Sequence, residues 1–177
     1  MLTGLDLSPA MLKEAAKKVP DAELIHADMS DFTLNKTYDV VLCIFDSINH
    51  LLSFDKWEKT FELAHQHLNE DGLFIFDVNT INKLDRRTRA NAVVQDIDDK
   101  RITAHMTKDN LDIYTWNIYV DDPSGVRNDF QVSEVAYPIT MIEKGLERFF
   151  TVEEKLTGTE QPVSEYVDRI YFVCKKK

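Results

Sequence analysis

The chain has 177 residues, 44% of them apolar or aromatic and 29% charged, a balance that suits one domain with a sizeable core and argues against a disordered chain. Twenty-one basic against thirty-one acidic side chains leave a formal charge of −10, which argues against nucleic acid as a partner because phosphate binding needs a basic field. No apolar run approaches the roughly 18 residues of a membrane span, and no basic stretch leads into an apolar core at the start, so neither a membrane partner nor a secretory signal is expected.

In chain order, Met1 to Leu7 is a short, mostly apolar run containing Asp6, and it reads as a strand. Ser8-Pro9 then gives a helix start, with Ser8 as N-cap and Pro9 in the first turn. Met11, Leu12, Ala15, Ala16 and Val19 follow at helical spacing, and Pro20-Asp21 stops the helix. Residues 22–26 make a second strand, closed by the acidic turn Ala27-Asp28-Met29. Residues 38–45 (YDVVLCIF) form a continuous apolar run of the kind buried on both faces of a parallel sheet. A loop or short turn over 46–52 leads to a helix over 54–68, with Trp57, Phe61, Ala64 and Leu68 on one stripe. Residues 69–72 read as a helix stop and residues 73–78 (LFIFDV) as another buried strand. Helical connections between buried strands imply parallel pairing and an α/β sheet.

After Asn79 the period changes to two. Ile102, Ala104 and Met106 share a face, as do Tyr114, Trp116, Ile118 and Val120, and then Phe130, Val132 and Ala136. This is the pattern of a small antiparallel sheet. A helix over 139–146 and two closing strands near 149–156 and 166–174 complete the reading, with Lys175 to Lys177 expected to fray. Cys43 and Cys174 both sit in apolar runs and read as small buried hydrophobes in a reducing, cytoplasmic setting. No His, Cys or carboxylate spacing suits zinc or calcium, so no metal is expected.

In an open α/β sheet, ligands bind beyond the carboxyl ends of the strands. Asp6, Asp28-Met29 and Phe45-Asp46 occupy such ends. A carboxylate closing a strand before a helix can accept two hydrogen bonds from ribose hydroxyls, and Asp28 can accept an adenine amine while Met29 covers a ring face. The segments GLDLSPAML (4–12), Ala27-Asp28-Met29, Tyr38-Asp39-Val40-Val41, Asp46 to Leu51 and DGLFIFDV (71–78) resemble class I S-adenosylmethionine-dependent methyltransferases. The resemblance extends to the branch that inserts an antiparallel sheet after the fifth strand. It implies a Rossmann-like, mostly parallel sheet with helices on both faces and S-adenosylmethionine as cofactor. It further implies a core over 1–83 and 138–177 with residues 84–137 inserted as a substrate cap. By position, Asp6 would bind the ribose, Leu7 and Met11 would flank the adenosine, and Asp28 and Met29 would hold the adenine. Phe45 and Asp46 would lie beside the methionine portion.

The sequence departs from that family in one respect. The first strand and its Gly-rich loop have no counterpart here; the five glycines, at 4, 72, 125, 145 and 158, lie too far apart to form such a loop. The expectation is therefore an N-terminally truncated chain, with unpaired strands at the sheet's centre and impaired cofactor binding. The partners expected are a small-molecule methyl acceptor and either a second copy or a complementing N-terminal segment. His50 is the best placed general base, while His65 and His67 read as peripheral. Tyr114, Trp116 and Tyr137 are candidate acceptor contacts, with Tyr119 and Phe130 beside them in the inserted sheet. Two competing readings are an inactive or split interaction module of the same fold and a fragment of a nicotinamide-dependent oxidoreductase.

Overall fold

Ser8 starts the first helix as its residue type dictates. In the computed structural model, which describes residues 2–158 and 162–177, its hydroxyl accepts the Met11 amide at 3.3 Å, with Pro9 in the first turn. The helix, α1 (Pro9–Lys18), connects β1 (Thr3–Asp6) to β2 (Glu23–His26), and the two strands pair in parallel from Thr3 opposite Glu23 to Asp6 opposite His26. Met1, the first residue of the strand expected from the sequence, lies outside the described residues.

There follow β3 (Tyr38–Cys43), a 3-10 turn (Ser47–His50), α2 (Phe54–Gln66), β4 (Leu68–Asn79) and α3 (Ile81–Thr88). The inserted strands are β5 (Val93–Ile97), β6 (Lys100–Lys108), β7 (Tyr114–Asp121) and β8 (Arg127–Glu134), and α4 (Ile139–Leu146), β9 (Phe150–Leu156) and β10 (Arg169–Lys176) close the chain. The α/β order and the antiparallel insert agree with the sequence reading, but the sheet does not form one piece. Among the described residues the strands fall into three sheets, β1-β2, β3-β4-β10-β9 and β5-β6-β7-β8, and only β1 with β2 and β3 with β4 run parallel. Among the described residues β1 pairs only with β2 and β3 only with β4. Side chains bridge the two sheets instead: the Tyr38 hydroxyl donates to Thr3 Oγ1 at 2.9 Å, Lys36 reaches Glu23 and Cys43 meets Met29.

Burial is one-sided as well. Phe74, Phe76 and Val78 of β4 and Ile170, Phe172 and Cys174 of β10 pack with Trp57, Phe61 and Ala64 of α2 and with Ile142 and Leu146 of α4. The alternate residues Val40 and Leu42 are exposed, and Leu73, Ile75, Tyr171 and Val173 are half-buried. The expectation of helices on both faces therefore fails for this sheet. Both α2 and α4 cover the same side, and α1 lies against β1 and β2. An all-apolar run could not reveal this, because alternation in burial needs no alternation in polarity.

Two terminal readings also change. β4 begins at Leu68, the last residue of the expected helix, and runs through the expected stop; Asp71 takes a left-handed φ of 60° where pairing shifts from Tyr38 opposite Leu68 to Val40 opposite Leu73. The next residue must be small, since a Cβ on Gly72 would lie 2.9 Å from the Asn69 carbonyl oxygen. The basic end does not fray: Lys175 and Lys176 belong to β10, with Lys175 on Asp71 at 2.8 Å and the Lys177 amide on the Phe149 carbonyl at 3.1 Å.

Both cysteines are free. Burial pushes each thiol up to about 12, with the nearby Asp77 carboxylate adding to the effect at Cys43. Below that value the reactive thiolate is scarce. Native protein at pH 8 should show little reaction with a thiol reagent over minutes, and both groups should react at once in denaturant. Rapid labelling of the native chain would contradict this packing.

Candidate functional site

The parallel register of β1 and β2 brings Asp6 and the Asp28 turn to the same end of neighbouring strands. Asp6 Oδ1 accepts the Ser8 amide at 2.7 Å, which fixes the carboxylate across the start of α1. Its Oδ2 has no hydrogen-bond partner among the described residues and remains available as an acceptor. Asp28 is more committed. Its Oδ1 accepts both the Ser30 amide at 2.8 Å and the Ser30 hydroxyl at 2.7 Å, while Oδ2 meets Lys56 Nζ at 3.3 Å. Burial opposes ionisation of Asp28, but the Ser30 bonds and Lys56 together hold it below the usual carboxylate range. Leu7, Met11 and Phe45 are exposed large apolar side chains, and Leu7 and Phe45 lie just beyond the carboxyl ends of β1 and β3. Met29 packs against Cys43 and the main core.

The end of β3 is built differently. Phe45 and Asp46 both adopt left-handed backbone, at φ 61° and 54°. For residues other than glycine such a conformation costs on the order of 1–3 kcal/mol each and persists only where the surroundings enforce it. Asp77 of β4, fully buried, accepts the Asp46 amide on Oδ2 at 3.0 Å. Arg169 of β10 places Nη1 2.8 Å from that same Oδ2 and pairs through Nη2 with Asp46 Oδ1. Asn79 Nδ2 donates to Asp46 Oδ2 at 3.0 Å and to Glu134 Oε2 at 2.7 Å, and Lys83 Nζ donates to Asn79 Oδ1 at 2.6 Å. Burial raises the Asp77 carboxyl, and the Asp46 amide and Arg169 pull it back only part of the way. Sequence reasoning included Asp46 in the site but missed Asp77, Asn79, Arg169 and Glu134. The available signal was a carboxylate at the end of the apolar run LFIFDV, which must find a donor or a cation when buried.

Comparison with known proteins bears directly on this arrangement. A family described as a methyltransferase domain matches residues 1–72. A Geobacillus sp. (strain WCH70) protein carrying a methyltransferase name is 29% identical over 99% of this chain and 76% of its own length. The dTDP-3-amino-3,6-dideoxy-alpha-D-glucopyranose N,N-dimethyltransferase of Streptomyces fradiae is 38% identical, over 42% of this chain and 29% of its own. An S-adenosylmethionine-dependent methyltransferase from Clostridium acetobutylicum ATCC 824 superposes with a TM-score of 0.88 at 28% identity, covering 98% of this chain and 74% of that one. The chain is similar, in sequence and in fold, to S-adenosylmethionine-dependent methyltransferases.

The remaining predicted residues fall at different places in the fold. His50, at the end of the 3-10 turn, is exposed and sets Nδ1 2.9 Å from the Ser133 carbonyl of β8. A carbonyl can only accept, so Nδ1 carries the proton and Nε2 is the basic atom. Tyr137 is half-buried and meets the Trp57 ring edge-on at 5.1 Å between centroids. Trp116 donates to Glu134 Oε1 at 3.1 Å and faces Arg87. Tyr114 is buried beside Leu84 and Met106, with its hydroxyl on Asp85 at 2.7 Å, so it belongs to the small core under α3. Tyr119 points from the opposite face of β7, against His105 and Arg127, and shares no wall with Trp116. His67, read as peripheral, is buried, with Nδ1 on the Leu63 carbonyl and Nε2 accepting the Leu34 amide, while His65 sits between Phe149 and Phe150.

Proposed function

We propose that this protein transfers a methyl group from S-adenosylmethionine to an amine of a small-molecule acceptor, with nucleotide-linked amino sugars as the favoured class. The observation that carries the cofactor assignment is the acceptor pair Asp6 and Asp28 on adjacent parallel strand ends, with exposed Leu7, Met11 and Phe45 near them. The donor set fits the adenosine portion. Asp6 Oδ2 would take a ribose hydroxyl, Asp28 the adenine amine, and Leu7 and Met11 the ring faces. Phe45 and Asp46 would border the methionine portion. The acceptor class rests on the names of relatives, among them the Streptomyces fradiae N,N-dimethyltransferase.

When bound, the sulfonium supplies a methyl group already activated by a neutral leaving group. The chain must therefore align the acceptor and remove one proton. An acceptor amine that gained this methyl group would carry a positive charge and one proton too many. His50 Nε2 would take that proton and pass it to solvent. Trp116 and Tyr137 border the acceptor from the cap, which comprises residues 84–137 over a core of 1–83 and 138–177. α3 spans that boundary, with Leu84 packed into the small core of the cap. The partner supported beyond the acceptor is a complementing strand rather than a second copy, because β1 and β3 each leave one edge unpaired among the described residues.

The test is direct: S-adenosylmethionine with a panel of aminohexose nucleotides, following S-adenosylhomocysteine release. His50→Gln should lower turnover about 100-fold at neutral pH with little change in cofactor affinity. Quenching of tryptophan fluorescence by NADH but not by S-adenosylhomocysteine would favour a nicotinamide enzyme and overturn the proposal.

A further inference from the structure

We infer that Asp77 and Arg169 are positioning residues for methyl transfer, holding the Phe45–Asp46 turn in its left-handed form at the methionine end of the site. This rests on the proposed function for its consequence, but on geometry alone for the mechanical part. Two consecutive residues with Cβ atoms occupy a backbone region that favours glycine. Relaxation of either would swing Phe45, Asp46 and the following 3-10 turn, which carries His50.

The turn is held at both its backbone and its side chain. Asp77 Oδ2 takes the Asp46 amide at 3.0 Å. Arg169 joins the two anchors, with Nη1 on Asp77 at 2.8 Å and Nη2 on the Asp46 carboxylate. Its planar fork suits a task that spans two carboxylates, and a lysine could not reproduce it. Asp77 Oδ1 is buried with no hydrogen-bond partner among the described residues. A protein that needed only packing here would do better with an apolar residue, as Phe74, Phe76 and Val78 illustrate on the same strand. Asn79 extends the arrangement from Asp46 to Glu134, which in turn receives Trp116 of the cap. The cofactor turn and the acceptor wall therefore share one hydrogen-bonded frame.

The test compares Asp77→Asn and Arg169→Lys with the parent chain, using amide hydrogen exchange, S-adenosylhomocysteine affinity and steady-state turnover. Both variants should speed exchange at the Phe45 and Asp46 amides at least about tenfold while leaving residues 74–76 protected. Turnover should fall about 100-fold, with the KM for the methyl donor moving far less, because misplacement harms alignment more than binding. Unchanged exchange at residues 45 and 46 overturns the inference, and so does equal loss of protection at residues 74–76, which would mark a stability role. If the parent chain releases no S-adenosylhomocysteine with any acceptor, the functional proposal fails. The exchange measurement still decides whether the pair holds the turn.

Discussion

Hydrogen exchange on the free chain should show the amides of residues 3–6 and 23–26 opening at least about 100-fold more readily than those of residues 73–78. The reason lies in where apolar surface is buried. Among the described residues the first buried hydrophobic one is Ile48, and α1 has no buried residue at all. Fully burying an aliphatic or aromatic side chain contributes about 1.5–3 kcal/mol, so β4 and β10, with Phe74, Phe76, Ile170 and Phe172 in the core, open only with the whole domain. The β1–α1–β2 unit relies on hydrogen bonds and on surface contacts such as Lys36 with Glu23, which solvent screens so that they add little. Two decades in exchange correspond to about 2.8 kcal/mol, well inside that contrast. S-adenosylhomocysteine at saturating concentration should narrow the gap, since it would engage Asp6 and Asp28 only while β1 and β2 are formed. Uniform protection along the chain would show that the unit is held by something other than these contacts.

This contrast also separates what the sequence could disclose from what it could not. Local rules were legible: Ser8-Pro9 set a helix start, Trp57, Phe61 and Ala64 set the buried stripe of α2, and period two set the insert. Asp6 and Asp28 were legible as neighbouring strand ends because the helical connection between their strands, α1, favours parallel order. The break between β1 and β3 was expected from the family's missing strand. The resulting one-sided burial of the central sheet was not, because Val40 and Leu42 look the same in a sequence whether covered or exposed. Asp77 and Arg169 meet only through the pairing of β4 with β10 and the turn at Phe45–Asp46, and long-range pairing of that kind leaves no local mark. His67 was misread for the same reason: its partners include the Leu34 amide, on a distant loop.

Asp6→Asn should weaken S-adenosylhomocysteine binding about 10- to 100-fold, the equivalent of one lost charge-assisted hydrogen bond of about 1.5–3 kcal/mol. Asparagine is the informative replacement because its side-chain oxygen can still accept the Ser8 amide that Asp6 Oδ1 now takes at 2.7 Å. Alanine would remove that bond too and confuse a local loosening with loss of a ligand contact. The Oδ2 position is the one that changes character, from acceptor to donor, and it faces no protein group that would need re-pairing among the described residues. The thermal midpoint should therefore stay close to that of the parent while affinity falls. Asp28→Asn should cost less affinity and more stability, since both oxygens of Asp28 already serve Ser30 and Lys56. Calorimetric titration of both variants reads the two effects separately. Affinity within twofold of the parent for Asp6→Asn would mean that no ligand hydroxyl reaches that carboxylate, and the cofactor site would have to be placed elsewhere.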